Sequence, residues 1–232
     1  MGFLQMAIPL PSLDIGLRAA ETPGDVAVTL QILLLLTVLS LAPAIIILMT
    51  SFTRTVIVLS FIRNALGTNQ VPPNQVLIGL ALFLTAFIMA PAFGSVYSDA
   101  LVPYLDGEIT VEQMWELGSA PIRQFMLQHT REKDLEMFVA MRDEQRPATA
   151  DDVSILTLIP AFVISELKTA FQLGFVIFIP FLVIDMVVAS TLMGMGMLML
   201  PPVMISLPFK ILLFVLVDGW HLVVQSLLVS FS

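Results

Sequence analysis

No cysteine occurs in this chain. That excludes disulfides, thiol nucleophiles and cysteine-based metal sites, and it leaves the redox compartment open. Histidine is nearly absent: only His129 and His221 exist, and no HExxH is present, so a histidine-based metal site lacks its ligands. No glycine-rich phosphate loop runs into a Lys-Ser/Thr pair. Asp185 and Asp218 stand in "VIDMV" and "LVDGW". Neither has the Gly-x-Gly-Asp setting of an intramembrane aspartyl protease, whose paired carboxylates share a proton. No constellation of nucleophile, base and orienting group remains. The chain therefore reads as a protein without catalytic activity, and no cofactor or metal is expected.

Charge is scarce as well. Only 12% of the 232 residues are charged, while 58% are hydrophobic. A soluble domain has about 25% charged and about 45–50% apolar residues. With a mean hydropathy of +0.97, the apolar material exceeds what the polar residues can cover. This is the composition of a membrane or membrane-assembled protein, with the lipid bilayer as one partner. The few charges are unevenly placed. Between Ser95 and Ser154 twelve acids face five bases, so that segment carries −7 of the net −8. Nucleic-acid phosphates need basic patches, so nucleic acid is excluded as a partner. The apolar N-terminus lacks a basic leader, and Pro9 and Pro11 interrupt it, which makes it a poor signal peptide.

What is abundant is long uncharged sequence. Val26–Thr53 holds 28 residues without a charge, Asn64–Ser98 holds 35, and Met186–Phe209 holds 24. A helix needs roughly 20 apolar residues to cross the hydrocarbon core. Four apolar helices are expected, at about 26–66, broken or bent near Pro43, and at 74–93, 153–192 and 203–230. "NQVPPN" (69–74), with Pro72 and Pro73, and the segment around Pro201 and Pro202 read as turns. The expected fold is all-α: two long apolar hairpins, 26–94 and 155–232, with a small polar helical insert at 95–154 and a segment of uncertain role at 1–25. In the insert, Ser119-Ala120-Pro121 reads as a helix start. Ile122, Phe125, Met126, Leu135, Phe138 and Val139 then recur at helical spacing until Pro147. Such an insert is too short for a large core and is expected to pack on the apolar helices or on a neighbouring copy. Arg54 and Arg63 flank the first short connection, which the positive-inside tendency puts in the cytoplasm. The acidic insert and both termini then face outward, toward the periplasm.

Charges inside the apolar helices stand out. Glu166, Lys168, Asp185, Lys210 and Asp218 lie in apolar surroundings, where an isolated charge costs roughly 2.5–3.5 kcal/mol or more. If the second hairpin turns near 197–198, Asp185 and Lys210 fall at the same level and can pair within the chain. The competing arrangement has Lys210 reach Glu166 of a neighbouring copy. The bland reading leaves some of these charges in water at a helix surface. Gly67, Gly79, Gly94 and Gly174 could let helices approach closely, or could be ordinary glycines of apolar helices.

The segment 193–202, "MGMGMLMLPP", collects four of the 14 methionines. Methionine is unbranched, polarizable and adapts to irregular partners. As core filler it would need no special place. Here, however, Gly194 and Gly196 each weaken a helix by about 1 kcal/mol, and Pro201 and Pro202 follow. The methionines therefore sit at a hairpin tip, where repetition around an oligomer axis would form a deformable ring of thioethers.

"PAFVISELKTAFQLGF" (160–175), "PFLVIDMVVASTLMGMGMLMLPP" (180–202), the hairpin at 49–91 and "LPFKILLFVLVDGW" (207–220) resemble the FliP family of export-gate proteins. The resemblance covers about Pro43 to the C-terminus. It implies a core subunit of the flagellar type III secretion export gate, in the inner membrane at the flagellar basal body, with counterparts in virulence systems. It implies several copies assembled with FliQ-like and FliR-like subunits into a helical, cone-shaped complex, partly raised above the bilayer on the periplasmic side. Unfolded export substrates would pass through its centre. A methionine-rich loop would seal the pore, matched best by Met197 and Met199, with Met193 and Met195 just before. Leu198 stands where relatives can carry another methionine. The alternative reading is a small-solute channel or transporter subunit, suggested by charges in apolar helices and the repeat-like "VPPN" and "LPPV" turns.

Overall fold

A computed structural model describes residues 23–68, 70–142, 149, 152–197 and 199–231. The chain divides into two units, Met1–Ala42 and Pro43–Ser232. Within the described residues every regular element is helical. In chain order these are α1 (Pro23–Met49), α2 (Phe52–Leu66), α3 (Asn74–Ile88), α4 (Ala90–Ser95), a π-helical turn (Val96–Leu101) and α5 (Val102–Leu105). The insert contributes α6 (Val111–His129) and α7 (Glu132–Met141). The chain closes with α8 (Ile155–Gly194), α9 (Pro202–Leu216) and α10 (Gly219–Val229).

The first break falls at Thr50-Ser51, and α1 runs on through Pro43, which corrects the expected break near Pro43. The reason is local hydrogen bonding. The Thr50 hydroxyl donates to the Ile46 carbonyl and the Thr53 hydroxyl to that of Ile47. These side chains take up carbonyls that a helix end leaves without partners. Two further breaks shorten the apolar helices. Pro91 cannot donate an N–H to the preceding turn, and Asn74–Ile88 meets Ala90–Leu105 at 60°. Asp218 takes a left-handed backbone, φ 51°, and Pro202–Leu216 meets Gly219–Val229 at 64°. Among the described residues one helix alone, Ile155–Gly194, has the length and hydropathy to cross a membrane, and up to four spans result if each bent pair counts as one.

α8 is the exceptional element. Its 40 residues extend about 60 Å at 1.5 Å per residue. The hydrocarbon core is only about 30 Å thick. α2 lies along α8, and nine of the fifteen α2 residues are buried. Gly174 permits this closeness: a Cβ there would stand 2.6 Å from Cγ of Phe61. Gly79 and Gly94 face open space, and Gly67 ends α2 in a left-handed turn, so only Gly174 among the four serves close helix approach. The main core gathers Val58, Leu59 and Ile62 of α2 with Leu77, Ala170, Phe181, Phe214 and Leu227.

A second core joins the insert to the N-terminal part of α8 through Met126, Val153, Leu158 and Phe162. The insert thus packs on the apolar helices of its own chain. Its first helix begins at Val111, and Pro121 lies inside it, which corrects the expected start at Ser119-Ala120-Pro121. The true start is a capping box. Gln113 N–H donates to the Thr110 hydroxyl at 3.4 Å, and the Gln113 side chain accepts from Thr110 N–H at 2.9 Å. Two otherwise unpaired donors are satisfied reciprocally. The expected helix end at Pro147 lies outside the described residues. An apolar pocket of about 400 Å³ lies between the π-helical turn and α6, lined by Val96, Leu101, Trp115 and Ile122 among others. It has almost no polar surface to fix a ligand's orientation.

Candidate functional site: a methionine tip and the charges beneath it

The tip is built by the way α8 ends. Gly196 N–H donates to the Met193 carbonyl at 3.0 Å, and Met197 N–H to that of Leu192 at 3.0 Å. Gly196 between them has φ 76°, a conformation that costs glycine nothing. This is the Schellman pattern of hydrogen bonds, which satisfies the last carbonyls of the helix and turns the chain sharply. Pro201 and Pro202 then open α9, where a missing N–H is harmless. At the other connection, Pro72 follows a cis peptide bond and Pro73 precedes α3.

The tip carries its methionines outward. Met193, Met195 and Met197 are about half exposed, and Met199 is 98% exposed. Leu198 lies outside the described residues. Four thioether side chains held on a turn that fills no core are available to an outside partner. The chemistry they offer is soft, apolar and deformable contact.

Below the tip, α8 and α9 are tied by charge. Lys210 Nζ donates to Asp185 Oδ2 at 2.6 Å, and the Ser206 hydroxyl donates to Asp185 Oδ1 at 2.6 Å. Lys210 is buried, while about a third of the Asp185 side chain is exposed. Its ammonium lies about 4.0 Å from where a Cβ on Gly67 would stand, at the C-terminal end of α2. The carbonyl end of a helix carries partial negative charge and favours a cation there.

Deeper still, Glu166 meets Arg54. Arg54 Nε donates to Glu166 Oε2 at 2.9 Å, and Nη2 donates to Oε1. Both side chains are almost wholly removed from solvent, at 3% and 0% exposure. Arg54 Nη1 also donates to the Ser230 carbonyl at 2.6 Å, and the guanidinium stacks 3.7 Å above the centre of the Phe231 ring. One side chain thus locks α2 to α8 and to the end of α10. Within the chain both carboxylate oxygens of Glu166 accept from Arg54.

Arg54 is the functional residue that sequence reasoning misplaced. Arg54 does not flank the first short connection but is buried, and of the pair only Arg63 stands at the connection, bonded to the Asn74 side chain. The signal was present in the spacing. Arg54 shares a helical face with Val58, Leu59 and Ile62, all fully buried.

Lys168 and Asp218 behave differently from the other intrahelical charges. Both are exposed, and neither makes an ion pair among the described residues. No group of three or more His, Asp or Glu side chains suited to a metal ion exists among the described residues.

The model of the FliP family matches residues 35–227. The chain is 60% identical over 217 residues to the flagellar biosynthetic protein FliP of Bacillus subtilis (strain 168), covering 94% of this chain and 98% of that protein. It is 54% identical over 227 residues to that of Caulobacter vibrioides (strain ATCC 19089 / CIP 103742 / CB 15), covering 98% and 84%. It is 47% identical over 233 residues to that of Aquifex aeolicus (strain VF5), covering 100% and 95%. The likeness therefore extends into the first forty residues, beyond the stretch on which the resemblance was carried.

Proposed function

The chain belongs to the FliP family, and from that premise we propose that it is a core subunit of the flagellar export gate. Its similar proteins are named for flagellar biosynthesis, and export of flagellar components is the role assigned to it here. In this reading several copies join FliQ-like and FliR-like subunits in the inner membrane at the flagellar basal body. Together they form a helical, cone-shaped channel through which unfolded flagellar proteins pass. The acidic insert faces the periplasm, and the methionine tip closes the pore.

The observation that carries this reading is the tip. Four thioethers on a Schellman turn, one of them 98% exposed, fit a flexible seal better than a packed core. A second observation supports the raised assembly. A helix of about 60 Å is twice the thickness of the hydrocarbon core, so part of α8 must be covered by something other than lipid tails. Its exposed apolar residues, including Phe171, Phe175, Val183 and Met186, fit burial against neighbouring subunits.

Copurification tests the proposal. The tagged chain, extracted from membranes of a flagellated host, is expected to bring down FliQ-like and FliR-like subunits in one large complex. A monodisperse single copy that moves a small solute across liposomes would overturn it.

A further inference from the structure

Two exposed charges of opposite sign are without an ion-pair partner among the described residues. Lys168 projects from α8 and makes no ion pair among the described residues. It stands in a row with Ile164, Phe171, Phe175, Ile179 and Leu182, all exposed and spaced by three or four residues. That spacing is one continuous helix face. It is distinct from the face where Ser165, Thr169 and Gln172 hold Arg131 of the insert. It borders the buried Glu166, Ala170 and Gly174 turned toward α2, and Phe171 at that border meets Phe61 of α2 edge-on with ring centres 5.3 Å apart. A lone lysine in an otherwise apolar helix stripe sets register and partner choice at a cost in stability.

Asp218 is its counterpart. It is exposed at the bend between α9 and α10, among exposed Val215, Leu216, Val217 and Trp220. It is the only described non-glycine residue with positive φ, and its side chain caps nothing. Aspartate is one of the few residues besides glycine that adopts a left-handed backbone as a single residue, and here it forms the bend.

The two charges cannot reach each other in one chain. From the Asp185–Lys210 pair, Lys168 lies about 25 Å along α8 and Asp218 about 12 Å along α9, at 1.5 Å per residue. They differ in level by about 13 Å.

We infer that Lys168 of one copy pairs with Asp218 of the next, seating the α8 stripe of the first against the α9–α10 bend of the second. The inference rests on the export-gate reading, in which copies of this chain are neighbours. Charge complementarity selects a second copy as the occupant of both faces. The contact joins two different surfaces, so it is head-to-tail, and a head-to-tail contact builds a ring or a helix and not a closed pair. The difference in level means that the two paired copies are offset along α8.

The absence of cysteine makes the test clean. Lys168→Cys and Asp218→Cys chains, coexpressed in membranes that assemble the complex, are treated with a short bismaleimide. The expected result is a cross-linked dimer from the mixture and none from either variant alone. A chain carrying both substitutions should give a ladder. Lys168→Gln and Asp218→Asn should each lower the yield of assembled complex several-fold. Asparagine tolerates the left-handed backbone, so loss in that variant reports the charge and not the bend. The charge-reversed chain, Lys168→Asp with Asp218→Lys, should recover more complex than either reversal alone. Cross-linking of Lys168→Cys to itself overturns the inference. So does the lack of any cross-link in a complex that still contains the FliQ-like and FliR-like subunits, and in that case the export-gate reading stands. If the unaltered chain forms no such complex, that reading falls and the inference falls with it.

Discussion

Arg54 and Glu166 are 112 positions apart in the sequence and form a two-pronged ion pair in the interior, where both are cut off from solvent. Glu166→Gln or Arg54→Ala leaves an uncompensated charge, a loss of about 3–5 kcal/mol. Arg54→Lys should fail almost as badly, because an ammonium cannot replace the planar fork. Replacing both with methionine should cost less than either single change. The thermal unfolding midpoint of the detergent-solubilised complex checks the order of these variants.

Asp185 and Lys210 should respond more mildly. About a third of the Asp185 side chain is open to solvent, so this pair is less desolvated than Arg54–Glu166, and Asp185→Asn keeps an amide oxygen to accept from the buried Lys210 ammonium. The exchanged pair, Asp185→Lys with Lys210→Asp, should restore part of what each single reversal loses. Secretion of flagellar subunits into the medium measures this. No recovery in the exchanged pair would show that the contact matters for reasons other than charge.

Gly174 sets the distance between α2 and α8. Gly174→Val should drive its side chain into Phe61, at a cost of about 1–3 kcal/mol for overpacking. Adding Phe61→Ala should relieve part of it. A double-mutant cycle on complex stability reads the coupling, and strictly additive losses would contradict the contact.

At the start of α6, Thr110→Ala removes one half of the capping box, with an expected loss of about 1 kcal/mol. Glu112 adds a pH dependence. Its own backbone N–H and the Thr110 hydroxyl hold its carboxyl below the ordinary value of 4.5. A lowered value stabilises the helix start above that ordinary value, and the stabilisation is lost as pH falls through the folded value. Amide exchange at 111–115, corrected for intrinsic rates, should rise in the variant at neutral pH, and in the parent only in acid.

The sequence revealed those parts of the fold that rest on composition and periodicity. Long apolar stretches mark α3, α8 and α9, and the arithmetic of a turn near 197–198 brings Asp185 opposite Lys210, where the structure places them. What escaped was decided by single side chains. Thr50 and Thr53 end α1 through hydroxyl bonds that no hydropathy window registers, while Pro43, the obvious breaker, is absorbed. "TVEQ" (110–113) carries a readable capping signal, which outweighs Pro121 as the helix start. Arg54 was assigned by loop proximity although its spacing places it in the buried stripe of α2. The left-handed backbone at Asp218 is a property of the folded chain and has no signature in composition.

The central claim is that the methionine tip seals the gate, and conductance tests it most directly. Purified complexes carrying Met193→Ala, Met195→Ala, Met197→Ala and Met199→Ala together are placed in planar bilayers beside the unaltered complex. The account predicts that the unaltered gate stays closed to small ions and that the fourfold variant conducts them continuously. Equal, low conductance in an intact fourfold variant would contradict the seal.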